Sequence, residues 1–185
     1  MSFGMSGASK SFVLLFAVVL AAVSLTAPAS ARIERPTGAS SRVSALEAAM
    51  LVNVNQIRAQ HGLRTLKLST RLSGAANQQS QAMGARGFFS HNSADGTAFW
   101  KRIRRYYTDR NYHYWSVGEN LLWSSPDVEA SKALDMWMKS PEHRANLLSK
   151  KWREIGLSAV HVQAAPGAFD GLDVTIVTAD FGARR

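Results

Sequence analysis

Three short segments of the sequence carry residues that could bind a metal ion or move a proton. His91 lies in FFSHNSADG, Glu119 in SVGENLLW and His143 in SPEHRANLL. Neutral imidazole nitrogen and carboxylate oxygen are both zinc ligands, so the three side chains could hold zinc or another divalent cation with one position open. Each also has an ordinary structural interpretation, as a turn residue, a loop acceptor of backbone amides and a packed helix residue. The segments are too far apart in sequence for spacing to prove that they converge.

Catalysis through a side-chain nucleophile is not indicated. The chain has no cysteine, and it contains neither a G-x-S-x-G turn nor an H-E-x-x-H helix. We therefore assign no catalytic residue, expect no organic cofactor and favour a binding protein over an enzyme. The alternative is a metal-dependent hydrolase in which the same histidines and glutamate activate a bound water.

The first 31 residues have the pattern of a signal peptide. An apolar run over residues 12–28 follows Lys10, no acidic residue precedes Glu34, and an A-x-A cleavage site ends at Ala31. We expect the chain to be exported through this signal, to act in the periplasm or outside the cell, and to keep no transmembrane span after cleavage. An uncleaved membrane anchor is the alternative.

The charge of the chain favours anionic partners. The formal charge of +9 falls to +8 without Lys10, so the exported protein is distinctly basic. Phospholipid head groups and acidic polymers of the cell envelope are partners that such a charge would attract. General solubility is an equally good explanation of the same charge.

Residues 99–115, FWKRIRRYYTDRNYHYW, form a basic aromatic segment. It contains all four tyrosines of the chain, two tryptophans and five Lys or Arg side chains. Such a mixture is typical of nucleic-acid surfaces, but export argues against that partner, and we expect a lipid or envelope component instead. The alternative is that the rings belong to the core and the arginines to a solvated helix face. The predicted ligand-binding residues are Trp100, Arg104, Tyr106, Tyr107, Tyr112 and Trp115.

Several helix starts precede and surround these sites. Pro, Gly and Ser in residues 32–43 predict a flexible lead-in, so the folded domain is expected over residues 44–185. A capping box at Ser44 and Glu47 predicts the start of a helix that ends before Gly62. Further helices are predicted from Ser69 to the glycines at 84 and 87, from a cap at Asp95 through Ile103, from Pro126 to Met138, and from Pro141, with Ser140 as its cap and His143 in its first turn.

The C-terminal part of the sequence changes to the period of strands. Alternation over residues 155–160 and β-branched residues over 173–181 predict a hairpin with a glycine- and alanine-rich loop. Another strand is predicted near residues 117–122. The fold class is therefore α+β, with helices packed on a small antiparallel sheet.

The ordered set of motifs resembles the CAP superfamily, which includes cysteine-rich secretory proteins, venom allergens and plant pathogenesis-related proteins. The motifs are LVNVNQIRAQHGLRTLKLSTRLSGAA, FFSHNSADG, GENL, ALDMWMKSPEHRANLL, EIGLSAV and TADFG, and they extend over residues 46–182. The chain looks most like the cysteine-free bacterial branch of that family. The resemblance implies an α-β-α sandwich with a central antiparallel sheet between helical layers, and domain 44–185 would be one such CAP (SCP-like) domain.

The resemblance also implies a cleft lined by two histidines and two acids. His91, Glu119 and His143 correspond to three of the four. The fourth position departs from the pattern, because Ser140 stands where many eukaryotic relatives have an acid. Glu142 is not expected to replace that acid, since adjacent residues of a helix point about 100 degrees apart.

Three polar residues are expected to support this cleft, namely Ser140, Asn120 and Asn146. Relatives in the family imply binding of lipid or sterol ligands, antimicrobial action or signalling, so the fold alone does not fix the ligand. The sequence therefore predicts a binding cleft with a nearby groove for lipid-like ligands.

Overall fold

The computed structural model describes the backbone of residues 38–185 and the side chains of residues 44–185. The predicted signal peptide, residues 1–31, and the first part of the predicted lead-in lie outside the described residues. No helix in the described part is long and apolar enough to cross a membrane. In chain order the elements are α1 Gly38–Gln60, β1 Lys67–Leu68, α2 Thr70–Arg86, α3 Phe99–Tyr106, β2 Trp115–Ser124, α4 Ala130–Lys139, α5 Pro141–Leu147, β3 Glu154–Ala165 and β4 Leu172–Arg184.

The four strands form one sheet in the order β1-β3-β4-β2. Strands β3 and β4 are the predicted hairpin, β2 is the predicted third strand, and β4 pairs antiparallel with both. Strand β1 was not predicted, and it pairs parallel with β3. The antiparallel description therefore holds for the three long strands, and a strand of two residues is too short to show an alternating pattern.

Helices cover both faces of the sheet, as expected for an α-β-α sandwich. Helices α1, α4 and α5 form one layer, in which Trp137 packs in the same core cluster as Val177 of β4. Helices α2 and α3 form the other layer, in which Met83 packs with Ile176. Because successive residues of a strand point to opposite faces, the neighbours Ile176 and Val177 serve different layers.

Helix α2 agrees with its prediction at both ends. Ser69 is the N-cap, and its hydroxyl accepts a hydrogen bond from the backbone N–H of Leu72 at 3.5 Å. Gly87 follows the last turn with φ of +67°, the left-handed conformation that glycine adopts without strain. The predicted inner face of this helix is buried, and it consists of Leu72, Ala75, Ala76, Gln79 and Met83.

The start of helix α1 differs from the prediction. The helix begins at Gly38, so the capping box expected at Ser44 lies inside it, as does the end of the predicted flexible lead-in. The carboxylate of Glu47 has another partner. It accepts a hydrogen bond from the backbone N–H of Ala159 at 2.8 Å, and this bond ties α1 to strand β3.

Two later helix starts also differ. Helix α4 begins at Ala130 rather than at Pro126. Asp95 does not cap α3, because its carboxylate accepts a hydrogen bond from the backbone N–H of Thr97 at 2.9 Å within a turn. Helix α3 then begins at Phe99 without a side-chain cap. Proline and aspartate signal a turn as readily as a helix start, which explains both errors.

Candidate functional site

Strand β2 brings together the segments that carry the predicted metal ligands. It lies at the edge of the sheet beside β4. Because successive side chains of a strand alternate in direction, two neighbouring residues of β2 serve different helical layers. Glu119 contacts the loop of His91, and Asn120 contacts α5, the helix that carries His143.

His91 and Glu119 form a hydrogen bond. Nδ1 of His91 lies 2.8 Å from Oε1 of Glu119, and the Glu119 side chain is 1% exposed whereas that of His91 is 49% exposed. The pair thus joins a buried carboxylate to an imidazole that reaches solvent. A carboxylate that accepts the Nδ1–H bond holds the ring in one tautomer and leaves Nε2 as the acceptor nitrogen.

The second oxygen of Glu119 is bound by Arg102, a residue that sequence analysis did not single out. Nη2 of Arg102 donates to Oε2 of Glu119, and the Arg102 side chain is 2% exposed. Nη1 of the same guanidinium donates to Oε1 of Gln79 at 2.7 Å and to the backbone oxygen of His91 at 3.1 Å. The carboxylate of Glu119 therefore has a cationic partner within the chain.

A second buried carboxyl group lies beside Glu119. Asp180 of β4 is directly opposite Glu119 in the antiparallel register, and it is fully buried. Neither of its oxygens makes a hydrogen bond of normal geometry to another described residue. Burial raises the pKa of Asp180 well above its ordinary value, and the charge of Glu119 raises it further, whereas Arg102 lowers it. Asp180 therefore favours its protonated form.

His143 lies in the first turn of α5, as predicted. Burial lowers the pKa of His143, and the electrostatic effect of His91 lowers it further, while Glu142 opposes the shift. The two imidazoles are therefore close enough to influence each other, and His143 favours the neutral form that can bind a metal or accept a proton. The described residues that bind the Glu119 carboxylate are His91 and Arg102, and His143 is not among them.

Two of the three predicted supporting residues bind the site. Asn120 donates from Nδ2 to the backbone oxygen of His143 at 3.0 Å. Asn146 donates from Nδ2 to the backbone oxygen of Glu119 at 3.1 Å and to Oδ1 of Asn120 at 3.0 Å. Ser140 is the N-cap residue of α5, but its hydroxyl makes no capping hydrogen bond. The expected side-chain cap is therefore wrong, and only the Ser140 backbone contributes to the helix start.

The predicted three-residue metal site does not fit this arrangement at Glu119. Both carboxylate oxygens are engaged, and a cation bound there would lie against the guanidinium of Arg102. Within residues 44–185, no three His, Asp or Glu side chains are grouped so that they could hold a metal ion. Two imidazoles remain as candidate ligands, fewer than the three protein ligands of a catalytic zinc site. Zinc binding stays a prediction that rests on His91 and His143.

The outer face of α3 and the turn after it form an open groove of about 650 Å³, which we call the α3 groove. Arg104 pairs with Asp109 at 2.7 Å. The other basic side chains of the groove have no carboxylate at salt-bridge distance among the described side chains. The lining residues are Trp100, Lys101, Arg104, Arg105, Thr108, Asp109 and Arg110.

Some of the six predicted ligand-binding residues line this groove, and the others contact parts of the chain. Trp100 and Arg104 line the α3 groove. Tyr107 is fully buried in the core cluster that contains Ile103, so its prediction as a ligand contact is wrong. The hydroxyl of Tyr107 donates to the carboxylate of Glu154, which further fixes its ring in the interior.

The remaining three rings pack against parts of the chain. The indole N–H of Trp115 donates to the backbone oxygen of Tyr107 at 2.8 Å. The guanidinium of Arg184 lies 4.0 Å from the ring centre of Tyr107 and 4.7 Å from that of Tyr112. Tyr106 is partly exposed and packs beside Gly74 of α2. The alternative interpretation, core rings with a solvated basic face, therefore holds for Tyr107 and for the four exposed basic side chains, whereas Tyr106 and Tyr112 stay partly exposed.

One sequence signal could have found Arg102. It lies three residues after Phe99, and residues at this spacing are neighbours on one side of a helix. A basic residue at such a position must be paired or must reach out to solvent. Asp180 gives no such signal, because Ala179 and Phe181 beside it belong to a strand that is buried on both faces.

Residues 51–180 of the chain match the sequence model of the CAP family, described as the cysteine-rich secretory protein family. The chain is also 30% identical over 135 residues to the uncharacterized protein YkwD of Bacillus subtilis, a match that covers 72% of this chain and 50% of that protein. The chain thus spans about half the length of this curated relative.

Three solved structures have a similar fold. An extracellular protein with an SCP domain from Bacillus anthracis has a TM-score of 0.60 at 22% identity, covering 81% of this chain and 45% of that one. For an outer surface protein of Borrelia burgdorferi the TM-score is 0.59 at 20% identity, covering 76% and 94%. A cysteine-rich secretory protein of Staphylococcus aureus gives 0.54 at 17% identity, covering 80% and 40%. At these identities the similarity concerns the fold.

Proposed function

The chain belongs to the CAP family, the cysteine-rich secretory protein family, and from this premise we propose that it is a non-enzymatic binding protein of the bacterial envelope or extracellular space. Its ligand is an anionic, phosphate-bearing envelope component, and the α3 groove receives it. The extracellular setting is supported by the similar folds of an extracellular SCP-domain protein and an outer surface protein, and by the predicted signal peptide.

The observation that carries this proposal is the charge of the α3 groove. Its lining includes four basic side chains and one acid, Asp109, which pairs with Arg104. Lys101, Arg105 and Arg110 are exposed and lack a salt bridge to any described carboxylate. Such cations attract phosphate groups, because no described carboxylate of the protein forms a salt bridge with them.

One apolar side chain gives the groove a second kind of contact. Trp100 is 39% exposed and lies in the same lining as the basic residues. Indole rings are favoured where apolar and polar environments meet, as at the head-group level of a lipid surface. A phosphate bound beside an apolar chain or a glycerol unit would therefore match the groove better than free phosphate.

Vesicle binding tests the proposal. Co-sedimentation would compare vesicles of phosphatidylcholine alone with vesicles of equal parts phosphatidylcholine and phosphatidylglycerol, and a soluble poly(glycerol phosphate) would serve as competitor. We expect binding to the anionic vesicles only. Competition by the polymer would indicate that the phosphodiester is sufficient, and its failure to compete would indicate that a lipid surface is needed.

A matched pair of variants separates the groove from the general charge of the protein. Lys101→Glu/Arg105→Glu reverses two groove charges, and Lys132→Glu/Lys139→Glu reverses two exposed charges on α4, in the opposite helical layer. At about 1 kcal/mol for each basic residue lost at an anionic surface, and before any repulsion from the two new glutamates, the groove variant should lose at least about 30-fold in affinity. Equal losses in both variants would reject the groove as the binding site.

Zinc binding in the cleft stays part of the proposal, with His91 and His143 as the ligands. Calorimetric titration of zinc into the purified protein would be compared with the His91→Ala/His143→Ala variant. Saturable binding that is lost in the variant would establish a two-imidazole site. If the wild-type protein binds no zinc, the cleft is a hydrogen-bonded cluster without a metal. Hydrolysis in this cleft stays the alternative prediction, and a protease assay with the zinc-loaded protein would test it.

A further inference from the structure

The guanidinium of Arg102 lies at the centre of a buried hydrogen-bond network. Arg102 itself is 1% exposed. Lys101, the residue before it, and Arg104, two residues after it, are both exposed. Besides Glu119, Gln79 and the backbone of His91, the guanidinium reaches the hydroxyl of Ser93 at 3.4 Å. One side chain of α3 thus connects α2, the His91 loop and the edge strand β2.

The same network fixes the loop that carries His91. Gln79 donates from Nε2 to the backbone oxygens of Ser90 at 2.7 Å and Asn92 at 3.2 Å, while Arg102 donates to the backbone oxygen of His91 between them. Three consecutive carbonyl groups are therefore held by two buried side chains. A loop held at each of three successive residues presents its side chain in one geometry.

Arg102 balances the negative charge of Glu119 without a bound ion. Glu119 is buried, and an isolated buried carboxylate would be strongly unfavourable. Arg102 binds its Oε2, and His91 binds its Oε1. Asp180, the carboxyl group on the adjacent strand, is fully buried. The guanidinium also lowers the pKa of Asp180, so this one buried cation acts on both acids.

We infer that Arg102 takes the role at Glu119 that a metal ion would otherwise have. It neutralises the buried carboxylate, occupies the oxygen that a cation would need, and keeps the other oxygen bound to Nδ1 of His91. Arg102 is thus a positioning residue, which acts on the cleft through Glu119 and the His91 backbone. Two consequences follow, namely that the geometry of His91 does not depend on a metal, and that it does depend on Arg102.

The first consequence is tested on the wild-type protein by its imidazole nitrogen–proton NMR spectrum. At mildly alkaline pH, where an ordinary imidazole is neutral, His91 should be the Nδ1–H tautomer in the presence of a chelator. Added zinc should leave that proton in place, because Nδ1 faces Glu119 and only Nε2 is left for a ligand. A His91 proton on Nε2 in the metal-free protein, or loss of the Nδ1 proton when zinc binds, would overturn the inference.

The second consequence is tested with Arg102→Met and with Arg71→Met, an arginine exposed on α2, as the matched control. Without Arg102, Oε2 of Glu119 and the backbone oxygen of His91 each lose their donor, so neither the carboxylate nor the loop is held in place. The His91 tautomer should become mixed in Arg102→Met only. An unchanged His91 tautomer in a folded Arg102→Met protein would overturn the inference. If that variant does not fold, Arg102→Lys replaces it, since it keeps the charge but cannot donate through the same fork of two nitrogens to Glu119 and to the His91 backbone, and the same change in tautomer is expected.

Discussion

The two faces of helix α3 use the same residue type for opposite purposes. Arg102 faces inward, is 1% exposed and binds four acceptors. Arg105, three residues later, is exposed in the α3 groove and has no salt bridge to a described carboxylate. The inner arginine organises the cleft, and the outer one is available to a partner. The comparison teaches that the role of a basic residue here depends on whether its side chain is buried beside acceptors and not on the composition of the segment.

The surroundings of each arginine explain the difference. The attraction between two charges is several times stronger near a protein interior than in bulk water, because the effective dielectric constant is lower. A buried pair is also insensitive to salt, whereas exposed charges farther apart than a Debye length are screened. The cleft should therefore respond to mutation by losing stability, and the groove should respond by losing affinity.

The largest expected effect is on the free energy of unfolding when Arg102 is replaced. Arg102→Met leaves Glu119 buried without its cation, and breaking a buried ion pair from one side typically costs about 3–5 kcal/mol. Arg105→Met, on the outer face of the same helix, should change stability by less than about 0.5 kcal/mol. Urea unfolding of both variants measures the two values. Similar losses in both would show that the two faces do not differ in the way described.

The next effect concerns the pH dependence of stability. The pKa of Asp180 is raised by burial above its ordinary value, so the folded protein keeps this proton at pH values where the unfolded chain has lost it. The free energy of unfolding should therefore fall as the pH rises from the ordinary value of Asp through the raised value. Asp180→Asn removes this dependence and should be at least as stable as the wild type at neutral pH.

Urea midpoints of wild type and Asp180→Asn, at mildly acidic and at mildly alkaline pH, test this expectation. The wild type should lose more stability between the two conditions than the variant. A variant with the same pH dependence as the wild type would mean that folding does not raise the pKa of Asp180.

Local patterns in the sequence were sufficient for most of the fold. The limits of α2 could be predicted because Ser69 and Gly87 satisfy backbone groups within their own turns. The hairpin of β3 and β4 could be predicted from β-branched residues and a glycine-rich loop. The start of α1 could not, because Glu47 has the pattern of a capping residue while its partner, Ala159, is distant in sequence.

The candidate site was less accessible to sequence reasoning, for the same reason. His91, Glu119 and His143 were identified through the family resemblance and the chemistry of their side chains, and the structure places His91 directly on Glu119. Arg102 was missed because five basic residues in one segment look alike until the helix is oriented. Asp180 was missed because Glu119, the residue opposite it, lies on the neighbouring strand β2 and is distant in sequence. Long-range pairing thus separates what could be predicted from what could not.

A smaller effect is the different response of the two faces of α3 to salt concentration. Affinity for anionic vesicles should fall steadily as salt is raised, because the groove cations are exposed and their attraction is screened. The urea midpoint should change little over the same salt range at fixed pH, since the buried pair of Arg102 and Glu119 is shielded from ions. Vesicle sedimentation and urea unfolding in matched buffers measure both. Salt-independent vesicle binding would mean that Trp100, rather than the cations, is the dominant contact.

The smallest effect is expected at Arg104, which has an intermediate position between the two cases. Its side chain is 52% exposed and pairs with Asp109 in the groove, so its charge is already compensated. Because exposed ion pairs contribute little to stability, Arg104→Ala should leave the melting temperature unchanged within error. It should weaken vesicle binding less than Arg105→Ala does, since only the latter removes an uncompensated charge. Equal losses in affinity would show that Asp109 releases Arg104 when the ligand binds, and the groove would then present four available cations instead of three.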